Sequence, residues 1–165
     1  MLRWAVNDCQ GAVAVRYPRG GDGKFTESNW DGASSVVTHR QGGKVALITY
    51  GNLLDNVLDA AEKLKEQGIE AGVLRLMQVH PMPKDELIIA LSGYDRAIVV
   101  EETCVGCGIY EAVSAVMQEI NPGCRVFEMN LGDHFVTHGS VSELRKTHGL
   151  DAISIAAYVK EVLSE

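Results

Sequence analysis

Short apolar runs and longer amphipathic segments succeed one another along this chain. Runs rich in β-branched residues, bounded by Gly, Pro or charged residues, predict strands. The predicted strands cover residues 12–15, 35–38, 44–49, 71–76, 97–100 and 125–129. The run at 97–100 is entirely apolar, so we expect it to be a central strand covered on both faces.

Apolar residues that recur every three or four positions predict helices between these strands. Residues 2–6 are expected to end a helix, and the later helices are predicted at 53–64, 84–91, 109–120, 141–147 and 153–163. Gly68 is a plausible C-cap for the helix at 53–64, and Asp151 is expected to cap the last helix. Strands and helices therefore alternate over most of the sequence.

Alternation at this spacing implies parallel strands joined by helical crossovers. Gly42 and Gly43 lie between the runs at 35–38 and 44–49 and give the signal of a tight turn, so these two runs are predicted to form a hairpin. The predicted fold class is α/β: a three-layer, open, mostly parallel sheet with one antiparallel edge strand.

Composition limits the kinds of partner. The chain has 165 residues, 46% hydrophobic and 22% charged, which fits one globular domain. A net charge of −7 argues against a nucleic-acid or anionic-membrane partner, because both need a basic face. No apolar run approaches the ~20 residues that span a bilayer. Without a secretory signal, and with four unevenly spaced cysteines, the protein is expected to be cytoplasmic with reduced thiols.

The segment at residues 11–21 combines an apolar run with two cations. Pro18 ends regular structure there, and Arg16 and Arg19 flank it. A cation at the mouth of a buried strand is a common way for an α/β enzyme to meet an anionic substrate. From composition alone, solvated charges at a strand end are the default interpretation of this pattern.

The sequence RYPRG at residues 16–20 resembles the segment that ends the pyrimidine-binding domain of 1-deoxy-D-xylulose-5-phosphate synthases, which belong to the thiamine-diphosphate-dependent transketolase family. Further fragments follow in the order of that family: residues 48–51, 79–81, 100–102, 131–135, 138–139 and 149–152. The resemblance covers nearly the whole chain, and it is to the C-terminal part of such an enzyme.

The resemblance implies a domain division and an activity. Residues 1–20 would be the tail of a preceding pyrimidine-binding domain, residues 21–33 a linker with Trp30 as its anchor, and residues 34–165 a transketolase C-terminal-like domain. The resembling enzymes join pyruvate, after decarboxylation, to glyceraldehyde 3-phosphate and so supply isoprenoid precursors. Their thiamine diphosphate, Mg²⁺ and catalytic glutamate lie upstream. We therefore expect no catalytic, cofactor-binding or metal-binding residue here, no turnover by the isolated chain, and a homodimer.

The resemblance also indicates which residues meet the substrate phosphate. One family arginine corresponds to Arg16. A second family arginine falls on Met77, and the nearest arginine, Arg75, is on the same strand face but displaced by ~7 Å. His80 replaces a usual lysine. Arg16 is thus the one predicted phosphate ligand, and the sugar-phosphate preference is left open.

Three other groups allow more than one interpretation. Cys104 and Cys107 form a C-x-x-C, which suits a redox pair or half of a zinc site, but the family places a glycine-rich turn there. The consecutive glutamates 101 and 102 suit acid–base chemistry, although the family favours a structural role in subunit or domain contacts. His134 and His138 would share a metal only on a helix, and the glycines around them indicate a loop.

Two alternatives to the C-terminal domain of one enzyme remain. The first is a separately encoded subunit that assembles with a cofactor-binding partner, as in split transketolases. The second is a non-catalytic interaction module that keeps the fold. Met77, Cys107 and Tyr110 favour the second alternative, because they replace usual family residues, and the RYPRG segment counts against it.

Overall fold

The computed structural model describes residues 1–18, 23–24, 30 and 32–165. Its elements, in chain order, are α1 (Leu2–Asn7), β1 (Val36–Arg40), β2 (Val45–Tyr50), α2 (Leu54–Lys65), β3 (Ala71–Leu76), α3 (Lys84–Leu91), β4 (Arg96–Val100), α4 (Tyr110–Ile120), β5 (Arg125–Met129), α5 (Val141–Thr147) and α6 (Ala152–Ser164). From β2 onward, the predicted and observed bounds agree to within one residue.

The five strands form one sheet in the order β1-β3-β2-β4-β5. Strands β2, β3, β4 and β5 pair in parallel, and β1 lies antiparallel to β3 at one edge. Two apolar clusters cover the sheet, one against α2 and α6 and the other against α3 and α4. The predicted fold class, a three-layer and mostly parallel α/β sheet with one antiparallel edge strand, is confirmed.

The predicted hairpin between the first two strands is wrong. Strand β1 pairs with β3, with Val37 opposite Arg75, while β2 lies between β3 and β4. Val45 to Thr49 of β2 are fully buried, which is typical of a central strand in a parallel sheet. Strand β2 therefore lies inside the sheet, and β1 occupies the edge. Gly42 and Gly43 do turn the chain, but a Cβ on Gly43 (φ +67°) would collide with the carbonyl oxygen of Glu70.

The predicted strand at residues 12–15 is also wrong. Residues 12–18 form neither helix nor strand, and Val13 is 44% exposed. A strand is stable only when a neighbour satisfies its backbone groups, and this segment pairs with none of the described strands. The preceding helix, α1, is present as predicted, but none of its residues is buried.

The apolar cores explain why the helices pack where they do. On one face of the sheet, α2 and α6 bury Leu54, Val57, Leu64, Ile155 and Val159. On the other face, α3 and α4 bury Leu87, Leu91, Val113, Val116 and Met117. Burial of a Leu or Val side chain contributes about 1.5–3 kcal/mol, so these two clusters hold the helices against the sheet.

Local caps fix the ends of the helices. The Asp151 carboxylate accepts hydrogen bonds from the backbone N–H groups of Ile153 and Ser154, which confirms it as the predicted cap of α6. Gly68 follows the end of α2 with φ +77°, and its N–H donates to the carbonyl of Lys65. Left-handed glycines of this kind commonly close helices, so this prediction is also confirmed.

The N-terminal segment contacts the rest of the chain through two tryptophans. The rings of Trp4 and Trp30 lie 5.2 Å apart, edge to face, and the Trp30 indole donates to the Ser34 carbonyl at 2.7 Å. The expected linker at residues 21–33 lies mostly outside the described residues, as do Arg19 and Gly20. No helix within the described ranges is both long and apolar enough to cross a membrane.

Strand order creates a crevice at the carboxyl edge of the sheet. From β2 the chain passes through α2 to β3, which lies toward one edge of the sheet. From β4 it passes through α4 to β5, which lies at the opposite edge. Connections therefore leave β2 and β4 in opposite directions. Such a switch point is where open α/β sheets usually bind ligands, and it defines the place to look for function here.

Candidate functional site at the switch point of the sheet

Tyr50 and Glu101 meet across the switch point. Tyr50 is the last residue of β2, and Glu101 directly follows β4, so parallel pairing of these strands brings the two side chains together. The Tyr50 hydroxyl donates to the Glu101 carboxylate at 3.2 Å. Beside them, the Thr49 hydroxyl donates to the Val100 carbonyl at 2.8 Å, which ties the ends of the two strands.

Glu101 has a structural role in the domain. Its side chain is only 2% exposed, and its carboxylate accepts the backbone N–H of Ile109 at 2.9 Å. Gly108 lies so close to the Glu101 carboxylate that any Cβ at position 108 would overlap it. A buried carboxylate needs such partners, and this one holds the turn after β4 against the start of α4.

Tyr50 is strongly held in its neutral form. Burial raises the pKa of Tyr50 to about 12, assisted by the charge of Glu101 and by the hydrogen bond to it. A phenol with this pKa is a hydrogen-bond donor at neutral pH and not a base. At the switch point Tyr50 can therefore orient an acceptor group, such as the carboxylate it already contacts.

The predicted phosphate ligand, Arg16, approaches the same crevice. Arg16 is exposed, and its positive charge lowers the pKa of Tyr50, opposing the larger effect of burial. Arg16 is therefore near enough to Tyr50 for its charge to act on the hydroxyl, although residues 12–18 form no strand. Arg19, the second cation of the segment, lies outside the described residues.

The other residues considered for the phosphate lie elsewhere. Met77 directly follows β3 and is 8% exposed, with its N–H bonded to the Ser35 carbonyl at 2.8 Å. Arg75 pairs with Thr49 in the sheet, so alternation places it on the face opposite Tyr50. His80 is exposed in the loop after β3.

Glu102 makes a separate contact that the sequence did not indicate. The Arg145 guanidinium donates to the Glu102 carboxylate at 2.6 Å, to Asn56 at 3.0 Å and to Asn52 at 2.9 Å. Arg145 is 13% exposed, so this network joins α5 to the start of α2 at the edge of the switch point. Only the long-range fold brings these residues together. The two glutamates therefore have different partners.

The remaining candidate ligands are exposed and dispersed. Cys104 and Cys107 are exposed free thiols in the turn after β4. His134 and His138 lie in a loop after β5, and His134 contacts Asp133 at 2.9 Å. Within the described ranges, no three His, Cys, Asp or Glu side chains are grouped as they would be around a metal ion.

A separate hollow lies beside the edge strand. It has a volume of about 500 Å³ and is lined by β1, the 41–43 turn and α3. Glu86 is the charged residue in its lining, and its carboxylate already accepts the N–H groups of Ser35 and Val36. An anionic lining of this kind does not suit a phosphate or diphosphate group.

Comparison with known sequences assigns this chain to one family. Residues 34–155 match the family described as transketolase, C-terminal domain. The 1-deoxy-D-xylulose-5-phosphate synthase of Heliobacterium modesticaldum is 32% identical over 98% of this chain, which corresponds to 25% of that protein. The synthase of the same name from a Synechococcus species is 34% identical over 97% of the chain and 25% of that protein. The chain thus spans about a quarter of the length of these curated relatives.

Comparison with solved structures gives the same fold. A split-gene transketolase, described as an inactive β4 tetramer, matches 78% of this chain and 42% of its own chain with a TM-score of 0.71 and 25% identity. A transketolase from Pichia stipitis matches 79% of this chain and 18% of its own with a TM-score of 0.58. At 19% identity, the second match supports the fold alone.

Proposed function

Because this chain belongs to the transketolase C-terminal domain family, we propose that it is the C-terminal domain of a cytoplasmic, thiamine-diphosphate-dependent 1-deoxy-D-xylulose-5-phosphate synthase. The observation that carries this proposal is identity of about a third to curated synthases over nearly the whole chain. The reaction would join pyruvate, after decarboxylation, to glyceraldehyde 3-phosphate, and its product would enter isoprenoid synthesis.

In this proposal the cofactor is held by other domains. Two observations support this: within the described residues no three His, Cys, Asp or Glu side chains are grouped as metal ligands, and the hollow beside the edge strand presents the Glu86 carboxylate. We assign residues 1–20 to the tail of a pyrimidine-binding domain, 21–33 to a linker and 34–165 to the C-terminal domain. The isolated chain would then have no turnover.

Arg16 would supply one cation for the phosphate of glyceraldehyde 3-phosphate. Its exposure and its electrostatic effect on Tyr50 support a place at the mouth of the switch point. A guanidinium can offer two parallel hydrogen bonds to a phosphate. Tyr50, neutral and hydrogen-bonded to Glu101, would lie beneath that cation.

A chimeric enzyme tests the proposal directly. The C-terminal quarter of the Heliobacterium modesticaldum synthase is replaced by this chain, and formation of 1-deoxy-D-xylulose 5-phosphate is measured from pyruvate and glyceraldehyde 3-phosphate. We expect turnover. A chimera that folds and binds thiamine diphosphate but shows no turnover would contradict the proposal and favour a non-catalytic module with this fold.

The role of Arg16 is tested in the same chimera. Loss of a charge-assisted contact in Arg16→Gln should raise KM for glyceraldehyde 3-phosphate by about tenfold or more and leave KM for pyruvate unchanged. Arg3→Gln is the matched control, since Arg3 is an exposed cation of the same N-terminal segment. Equal effects of the two substitutions would argue against a phosphate contact at Arg16.

A subunit of a split enzyme is the second candidate, because the split-gene transketolase is a close match in fold. In that case the cofactor-binding part would be a separate chain. Co-purification with a separately expressed upstream part, with recovery of activity on mixing, would favour this candidate. In either arrangement we propose that two copies of this domain associate.

A further inference from the structure

The turn after β4 begins and ends with a cysteine. Cys104 and Cys107 occupy its first and last positions, and the Cys107 N–H donates to the Cys104 carbonyl at 3.1 Å. Gly106, the third residue, has φ +73°, while Val105 before it has no positive φ. A positive φ at the third position alone defines a type II turn, for which glycine is the natural residue.

This geometry suits a bond between the two sulfur atoms. A β-turn brings the Cα atoms of its first and fourth residues within about 7 Å. Disulfides need Cα separations of about 4.4–6.8 Å, a range that a hydrogen-bonded β-turn can supply. Both thiols are free and exposed, and small-molecule oxidants can reach them. Cys124, in contrast, is buried at 1% exposure.

We propose that Cys104 and Cys107 are a reversible dithiol–disulfide site, which oxidised low-molecular-weight thiols such as glutathione disulfide convert to an intra-turn disulfide. The thiolate of one cysteine attacks a sulfur of glutathione disulfide, forms a mixed disulfide and releases one glutathione thiolate. The second cysteine thiolate then attacks the protein sulfur of that mixed disulfide and releases the second glutathione.

The electrons and protons balance in this exchange. The two cysteines together lose two electrons and two protons, and glutathione disulfide gains them to become two glutathione thiols. No metal or further oxidant is needed. Reduction by excess glutathione runs through the same steps in reverse.

The turn is hydrogen-bonded to the loop after β5, so its redox state would also affect the backbone of that loop. The Val105 N–H donates to the Gly132 carbonyl at 3.2 Å, and the Leu131 N–H donates to the Thr103 carbonyl at 2.9 Å. A disulfide across the turn would restrict the backbone at positions that hold the 131–135 segment. That segment carries Phe135, whose side chain is fully exposed.

The experiment equilibrates the purified chain in glutathione buffers of graded oxidation, blocks free thiols by acid quenching and alkylation, and identifies the modified peptides by mass spectrometry. We expect a disulfide within the peptide that contains residues 104–107, and the same disulfide to disappear in reducing buffer. Its equilibrium constant in the folded chain should exceed that of the chain in guanidinium by about tenfold, because folding pre-arranges the turn.

Two variants make the result specific. Cys107→Ser should abolish the internal disulfide and leave glutathione attached to Cys104. Cys9→Ser is the matched control outside the turn, and it should form the internal disulfide to the same extent as the natural chain. The proposal is overturned if the folded chain accumulates only mixed disulfides in the most oxidising buffer. It is also overturned if folding gives no advantage over the chain in guanidinium.

Discussion

At the scale of single residues, the buried carboxylate of Glu101 determines much of the geometry around the switch point. It receives the Tyr50 hydroxyl at 3.2 Å and the Ile109 N–H at 2.9 Å, and it leaves no space for a side chain at Gly108. Loss of any one partner leaves a buried polar group partly unsatisfied, which costs about 1–3 kcal/mol. Substitutions here are therefore informative.

Gly108→Ala should lower the free energy of unfolding by about 1–3 kcal/mol, because the new methyl group must displace the Glu101 carboxylate. Urea denaturation followed by circular dichroism measures the change. Gly123→Ala is the control, since its Cβ would meet only the Asn121 side-chain oxygen, at 3.3 Å. If the two variants were equally stable, the close packing of Gly108 on Glu101 would be wrong.

Tyr50 should make stability depend on alkaline pH. Its pKa is raised from 10.0 to about 12 in the folded chain, so folding favours the neutral phenol. This contribution is fully present below about pH 10 and is lost as the pH rises through about 12, a change of about 1–2 kcal/mol. Tyr50→Phe should therefore show a smaller loss of stability over that interval than the natural chain.

Urea midpoints measured across that pH interval give the comparison. Tyr17→Phe serves as the control, because Tyr17 is 75% exposed and contributes little packing. Parallel pH profiles for Tyr50→Phe and the natural chain would contradict the raised pKa of Tyr50.

At the scale of secondary-structure elements, periodicity was sufficient to place most helices and strands. Residues 84–91 and 71–76 were predicted with their observed bounds, since each has a clear apolar pattern and a Gly, Pro or charged boundary. Strand neighbours were harder to predict. The glycines at 42 and 43 predicted a hairpin, but the burial of β2 on both faces decides the pairing, and β1 moves to β3.

Contacts between distant elements were beyond sequence reasoning. Tyr50 and Glu101 are 51 residues apart, and Arg145 and Asn52 are 93 apart. No periodicity links such positions, so the first contact follows from strand order and the second from the placement of α5 beside the start of α2. Arg16 was identified through a family resemblance, and the strand predicted before it is absent because residues 12–18 pair with no neighbour among the described strands.

The Arg145 network should hold α5 against the start of α2. Arg145→Ala should lower the free energy of unfolding by about 2–3 kcal/mol, since it leaves Glu102, Asn52 and Asn56 without a shared donor. Arg125→Ala is the matched control: its pair with Glu165 is about half exposed and should contribute about 1 kcal/mol or less. Similar losses in both variants would contradict a special role for Arg145.

At the scale of the whole molecule, the loop after β5 presents apolar side chains to solvent. Phe135 is fully exposed and Val136 is 38% exposed, and Val141, the first residue of α5, is 58% exposed. Exposed apolar side chains this near in sequence form a candidate association surface. They support the proposal that two copies of the domain associate.

Sedimentation velocity tests this association. The natural chain should show a concentration-dependent dimer, and Phe135→Asp should raise its dissociation constant by about tenfold or more, because a charge would be buried at the contact. Ile89→Asp, at a residue that is 76% exposed on α3, should leave dimerisation unchanged. A monomer at every concentration would refute the proposed association.

The central claim is that this chain completes a longer synthase and does not bind the cofactor itself. Calorimetric titration of the purified chain with thiamine diphosphate and Mg²⁺, beside the whole Heliobacterium modesticaldum synthase, tests it most directly. We predict saturable heat for the whole synthase and none for this chain. Saturable binding by the chain would contradict the account, because residues 1–165 would then build a diphosphate site of their own.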